Sequence, residues 1–538
     1  MVSLWKSKNR DEEAHSGSSS PQEGEADVEN GHRRTTREEP DERTRLLPSN
    51  PNPPPHHDGY LDPDDPAVSP YNLWTVRALR YLSVIFLVVS FLWWVLLLVS
   101  IFVSPPGMHS RGSGFFDFSY TTLTVGNLLM GLLFFANPSR ALRIGCMILA
   151  IILLIDMIII LAVGRIRVEE GWVGIASVVW ATVIAAWTVV TDRAVAWGKR
   201  EEEERLTGRA ENRRTLREWC AVFTSAVINV ILIIVAILLT ATLILRSRDA
   251  SLAPAGDRYY VDSDKYQIHL ACVGNQTYTD DGEPNPTVLV EAGEGTVEYD
   301  LLPFISNAYK NGTIDRYCFY DRPGFGWSDN APSPHSAGMT ADVLSEVLAQ
   351  AGEEGPWVLV SAGIGSVYSR IFSSRHYQQV TGILLIDPLH EDLLYRVGAP
   401  GRGFVLWARG IISPLGFTRL AGALFKGRTR EDRVYGGSAY QGGKFIKAKL
   451  QESLVANSLT KSEVSSARTI QGRDTPLVVV SSGIEVRRNA EWEKKQHDLT
   501  TLTDKLVAWD IVSKAPHAVW KTLSGRETLE KRLRELVK

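Results

Sequence analysis

Few residues of this 538-residue chain stand where their chemistry singles them out. Asp156 interrupts an otherwise apolar run at residues 144–164. A carboxyl at that depth is costly to ionise, so it either handles protons or ions or takes a hydrogen bond from a neighbouring helix. The apolar runs hold no second charge that would form a relay with it, which favours the hydrogen bond. Asn275-Gln276-Thr277 and Asn311-Gly312-Thr313 are acceptor triplets for glycosylation, and so expect an exoplasmic location. There is no Walker loop, no G-x-G-x-x-G and no spaced set of metal ligands, so no cofactor and no metal is expected. Four cysteines exclude a disulfide-rich scaffold. A net charge of −3 and an isoelectric point near 6.4 give no basic domain for nucleic acid.

The elements around these residues fall into three partitions. Residues 1–71 are dense in Ser, Pro and charged side chains and cannot bury enough apolar area to fold, so the sequence predicts a disordered tail. No apolar h-region follows the first ten residues, and Asp11, Glu12 and Glu13 argue against a mitochondrial presequence. Within the tail, Glu42-Arg43-Thr44-Arg45-Leu46-Leu47-Pro48 fits E-x-x-x-L-L. It is similar to the acidic dileucine signals, here Glu42, Leu46 and Leu47, by which sorting adaptors send membrane proteins to lysosomes or vacuoles.

The second partition, residues 78–246, carries apolar runs at 81–103, 118–137, 144–164, 171–191 and 219–245. About 20 apolar residues cross a bilayer, so five transmembrane helices are expected, with lipid as the first partner. Twelve Lys and Arg flank the runs on the N-terminal side and five on the other. By the positive-inside bias the tail is cytosolic, and five crossings place everything after residue 245 on the lumenal or extracellular face.

The third partition, residues 257–538, alternates strand-like and helix-like stretches, the pattern of an α/β fold with a mostly parallel sheet. Its strands run into Glu291-Ala292-Gly293, Asp321-Arg322-Pro323-Gly324-Phe325-Gly326-Trp327-Ser328, Ser361-Ala362-Gly363-Ile364-Gly365, Asp387-Pro388-Leu389-His390-Glu391-Asp392 and Ser481-Ser482-Gly483. Ala515-Pro516-His517 precedes a final helix.

In this order the segments resemble the α/β-hydrolase superfamily, in the branch that carries the DRPGFGWS segment. The resemblance implies a doubly wound sheet with a helical cap at about residues 391–474. The whole layout also resembles a group of fungal multi-pass proteins labelled mitochondrial integral membrane proteins. That label gives a mitochondrial alternative to the vacuolar or lysosomal location implied by the dileucine signal and the sequons. Active members of the superfamily carry G-x-S-x-G at the end of a strand, with a serine nucleophile on a strained turn. Here the resemblance puts Gly363 at the nucleophile position and Ser361 at the first glycine. His517 matches the catalytic histidine, and Glu485 lies nearest the usual acid position, with Asp387 as the alternative. Ala292, Gly293 and Ile364 would form the oxyanion loop. The superfamily's sheet order also brings the strands of Cys272 and Cys318 together, implying a disulfide between them.

The functional expectation is therefore a degenerate hydrolase: a non-catalytic binding or scaffold domain, with an unidentified ligand or protein partner in the old cleft. The alternative is a membrane-bound hydrolase of lipid, ester or peptide-like substrates. It would use Ser361 or Ser366, or a water activated by His517 and a carboxylate.

Overall fold

A computed structural model describes residues 70–208 and 215–538, all within one compact unit. The sorting motif at Glu42, Leu46 and Leu47, and nearly all of the expected tail, lie outside the described residues. Five helices come first: α1 (Trp74–Phe102), α2 (Phe115–Leu133), α3 (Arg140–Ala162), α4 (Gly164–Thr207) and α5 (Leu216–Asp249). Local chemistry sets their starts. Ser139 caps α3 by accepting from the Leu142 amide, and Thr215 with Glu218 forms a capping box on α5. Gly171 takes φ +63 inside α4 and kinks it.

The bundle is apolar outside and polar within. On α1 the buried positions include Ser83 and Ser90, which accept from the indoles of Trp187 (3.0 Å) and Trp180 (2.8 Å) on α4, while Ile85, Phe91 and Leu92 face outward. In water this arrangement would be unstable; in lipid it satisfies the polar groups and leaves hydrocarbon to meet hydrocarbon. Four helices, α1, α3, α4 and α5, are long and apolar enough to cross a membrane. Of the five spans expected, these four meet both criteria among the described residues. The run at 118–137 does form a helix, α2, but Asp117, Tyr120, Thr121, Thr124 and Asn127 make one of its faces polar and buried against its neighbours.

The α/β domain is built on an eight-stranded sheet. Its strands are β1 (Asp257–Val261), β2 (Tyr266–Val273), β3 (Thr287–Glu291), β4 (Tyr317–Tyr320), β5 (Trp357–Ala362), β6 (Val380–Ile386), β7 (Leu477–Ser482) and β8 (Leu506–Val512). The spatial order is β1-β2-β4-β3-β5-β6-β7-β8, antiparallel at β1/β2 and β2/β4 and parallel elsewhere. β3, β5 and β7 are buried throughout, as strands covered on both faces must be, and alternate residues feed two separate apolar cores. Cys272 and Cys318 lie directly opposite on β2 and β4 and are joined by a disulfide.

Between β6 and β7 the chain leaves the sheet for a helical excursion, from Glu391–Arg396 to Lys461–Ile470. Part of this cap lies against the membrane helices. In the helix Pro400–Ile412, Leu406, Trp407 and Ile411 pack on Ile101 of α1 and Phe115 of α2, and Gly416 backs onto Thr242 of α5. The outer face of the same region exposes Phe404, Val405, Ile412, Phe417, Leu424 and Phe425.

Candidate functional site

The turn after β5 is held by glycine. Gly363 has φ +48, and a Cβ there would lie 2.9 Å from His517 Nε2. Glycine takes this left-handed conformation without the Cβ penalty that other residues meet. The helix Gly365–Arg375 follows at once, and Gly365 sits so close to the Ala292 carbonyl that no side chain fits. The Cα of Gly293 is 3.9 Å from the Cβ position of Gly363. Thus Ala292, Gly293, Gly363, Ile364 and His517 converge at the C-terminal ends of β3 and β5, where parallel sheets place their sites.

His517 is oriented by a carboxylate. Its Nδ1 lies 2.6 Å from Asp387 Oδ2, and Asp387 is fully buried just after β6, itself at φ +42. The other Asp387 oxygen accepts from the Ser482 amide (3.0 Å) and the Trp492 indole (3.0 Å). The acid beside the imidazole is therefore Asp387. Glu485 instead occupies the first turn of the helix Gly483–Arg488, where its amide donates to the Ser482 hydroxyl (3.1 Å), and it reaches His517 through its charge alone. Burial pulls the imidazolium pKa down, but the hydrogen bond and charge of Asp387 outweigh it, and the net shift is upward.

Both alternative serines are committed elsewhere. Ser361 Oγ pairs with Ser369 Oγ at 2.7 Å, and Ser366 donates to the Gly363 carbonyl at 2.7 Å; both side chains are fully buried. Neither hydroxyl is paired with an imidazole, as an activated nucleophile would be.

The DRPGFGWS segment supports the turn from below. Arg322, buried, donates to the Gly293 carbonyl (2.5 Å) and lies 3.4 Å from Glu291 and 3.6 Å from Glu452. Burial pushes Glu291 up to about 7 against the pull of Arg322. Asp321 accepts from the Trp327 amide (2.9 Å) and meets His269 Nδ1 at 2.9 Å, which closes the loop on itself. Sequence reasoning missed Arg322, Ser482 and Trp492 as supports of the site. Arg322 was legible as the cation of its segment; Trp492 carries no local signal.

Elsewhere, Asp156 is fully buried and accepts from the Tyr120 hydroxyl of α2 at 3.2 Å. Asp117 of α2 and Glu170 of α4, each one residue outside an apolar run, are buried close together beside Gly174. Asn275 and Asn311 are both exposed. Among the described residues His269, Glu298 and Asp321 approach one another, as do His390, Glu391 and Asp498; in the second set Arg370 and Arg468 already pair with the carboxylates.

Sheet order, cap position and the Gly363–His517–Asp387 arrangement define a membrane protein with an α/β-hydrolase-like domain. Among solved structures, the Cif epoxide hydrolase from Acinetobacter nosocomialis superposes with a TM-score of 0.41 at 16% identity, over 56% of this chain and 97% of that one. A family model described as a region of unknown function (DUF2417) matches residues 42–272. An uncharacterized protein of Schizosaccharomyces pombe is 33% identical over 511 residues, 88% of this chain and 92% of that protein, and the chain belongs to its family. A protein of Saccharomyces cerevisiae described as an uncharacterized vacuolar membrane protein is 28% identical over 384 residues, 61% of this chain and 59% of its own length.

Proposed function

We propose that this chain is an integral protein of the vacuolar membrane whose hydrolase-like domain binds a ligand or partner on the lumenal side without cleaving it. One observation carries the reading: the nucleophile position is Gly363, and the His517 ring leans into the space a side chain there would fill. The imidazole, its carboxylate and the glycine turn remain, so the scaffold of acyl transfer is kept without the attacking atom. Fluorophosphonate labelling of the purified full chain tests this, because only an activated serine reacts. No labelling is expected; labelling at Ser361 or Ser366 would favour the hydrolase reading.

The vacuolar location is supported by the Saccharomyces cerevisiae relative together with the apolar helices. For orientation we read α2 as a fifth crossing despite its polar face. Just before it, the Gly112 amide donates to the Glu169 carbonyl (2.8 Å) at the start of α4. Just after it, Phe135 packs with Val76 at the start of α1 and Val195 near the end of α4. α2 thus runs the depth of the bundle, which puts the α/β domain opposite the cytosolic tail. The exposed apolar cap residues then meet the lumenal leaflet, as an in-plane amphipathic element does. Glycosidase treatment should shift the protein's band through Asn275 or Asn311. Digestion of the α/β domain in sealed, cytosol-out vesicles would overturn the orientation.

A further inference from the structure

Where the bundle meets the cap there is a polar cavity of about 100 Å³. α4 lines it with Arg165 and Glu169, α5 with Arg246 and Asp249, and the cap with Arg419, Arg433 and Lys444. Five cations thus face two carboxylates. Some of this charge is compensated. Arg433 binds Asp249 at 2.6 Å, and Arg246 binds Glu169 at 2.9 Å and, behind it, Glu170 at 2.5 Å.

Three cations are left short of a counter-ion. Arg165 approaches Glu169 only at 3.4 Å, a carboxylate that Arg246 already holds, and lies over the Trp327 ring. Arg419 reaches Asp249 at 3.4 Å in competition with Arg433, and its buried Nε has no partner among the described residues. Lys444 donates to the Gly326 carbonyl (2.7 Å) and has no ion pair among the described residues. The side chains of Arg165 and Arg419 are only 18% and 11% exposed. Buried charge is ordinarily paired, and cations gathered without an anion raise one another's energy. Burial accordingly pushes Arg419 down to about 10 and Lys444 to about 8.

We propose that this cavity binds a phosphate-type oxyanion, held between the bundle and the cap by Arg165, Arg419 and Lys444. The formal excess of the lining is three positive charges, of which Glu170 behind Arg246 removes one; a dianion neutralises the rest. Arginine forks suit tetrahedral oxyanions, and lysine adds a point charge. The space equals roughly three water molecules at about 30 Å³ each, enough for such a group. A phospholipid headgroup and free inorganic phosphate share this chemistry. Because the ligating residues come from both halves of the protein, occupancy would fasten the cap to the bundle, whatever the catalytic status of Gly363.

The test uses the full chain in nanodiscs of zwitterionic lipid. Its melting temperature is followed against inorganic phosphate with chloride at matched ionic strength, and separately against phosphatidic acid in the disc. A rise with inorganic phosphate supports the site and assigns it to the free ion. A rise with phosphatidic acid alone supports it and assigns it to a lipid headgroup. Arg165→Gln and Arg419→Gln should each weaken the effective ligand at least tenfold. Arg419→Lys, which keeps the charge, should weaken it less, and Arg428→Gln, at an exposed cap arginine, should leave it unchanged. Should either glutamine variant fail to fold, the wild-type titration and Arg419→Lys still decide. No rise with either ligand, or glutamine variants that bind as wild type does, would overturn the proposal.

Discussion

The turn at Gly363 and the junction between the bundle and the cap are both polar sites inside one chain, and they differ in what they lack. At the turn Asp387 accepts three hydrogen bonds and Arg322 pins the Gly293 carbonyl, and on the reading proposed above what is missing is the side chain that would react. At the junction the charged groups are in excess, and what is missing is the anion that would balance them. On that reading the turn keeps its supports without a nucleophile. A pocket with unbalanced charge is organised for a ligand. The comparison teaches that residues with the strongest chemistry need not lie where a fold family keeps its catalysis.

A large effect should come from the junction. Asp249→Ala leaves Arg433, only 7% exposed, without its carboxylate. Breaking a buried pair from one side costs about 3 to 5 kcal/mol. A large fall in melting temperature and rapid proteolysis of the cap are expected; an unchanged melt would show that the junction does not hold the two halves together.

At the turn, Asp387→Ala removes the acceptor of the Ser482 amide and the Trp492 indole. Each buried donor left unpaired costs about 1 to 3 kcal/mol, so the two together should cost about 2 to 6 kcal/mol, a range that overlaps the loss at Asp249. Glu485→Ala should change stability little by comparison. Equal losses at the two positions would undo the assignment of Asp387 as the group that holds His517.

Gly363→Ala should cost about 1 to 3 kcal/mol, because a non-glycine residue at positive φ is strained. The added Cβ would also press on His517 Nε2 and displace the ring. A neutral or stabilising result would mean that the turn relaxes freely and that glycine is not required there.

The smallest effect is pH-dependent. The folded pKa of His517 is raised, so its contribution to stability is fully present below the unfolded value of about 6.5 and is lost as pH rises through the folded value. Its side chain is 40% exposed, which screens the pair, so the slope should be shallow. His517→Gln should flatten it; the same slope in that variant would place the titrating group elsewhere.

Much of this was legible in the sequence. Strand ends could be read from short apolar runs meeting Gly- and Asp-rich turns, and that sufficed for a mostly parallel α/β sheet; the places of Gly363 and His517 came from the resemblance to the hydrolase superfamily. The choice between Asp387 and Glu485 was not legible. Both follow strands on the same edge of the sheet, and only packing decides which carboxylate reaches the imidazole. The polar face of α2 was not legible either, since bilayer length and moderate hydropathy do not reveal that Asp117 and Asn127 are buried between helices. The junction cavity was invisible, because its cations come from α4, α5 and the cap, which become neighbours only in the fold.

The central claim is that the hydrolase-like domain lost its chemistry at Gly363 alone. It is tested most directly by ester hydrolysis with the wild type, Gly363→Ser, and Gly363→Ser combined with His517→Ala. The account predicts no turnover by the wild type, slow turnover by Gly363→Ser once His517 yields space to the new side chain, and none when His517 is removed. Robust wild-type turnover that is abolished by changing Ser361 or Ser366 would contradict it.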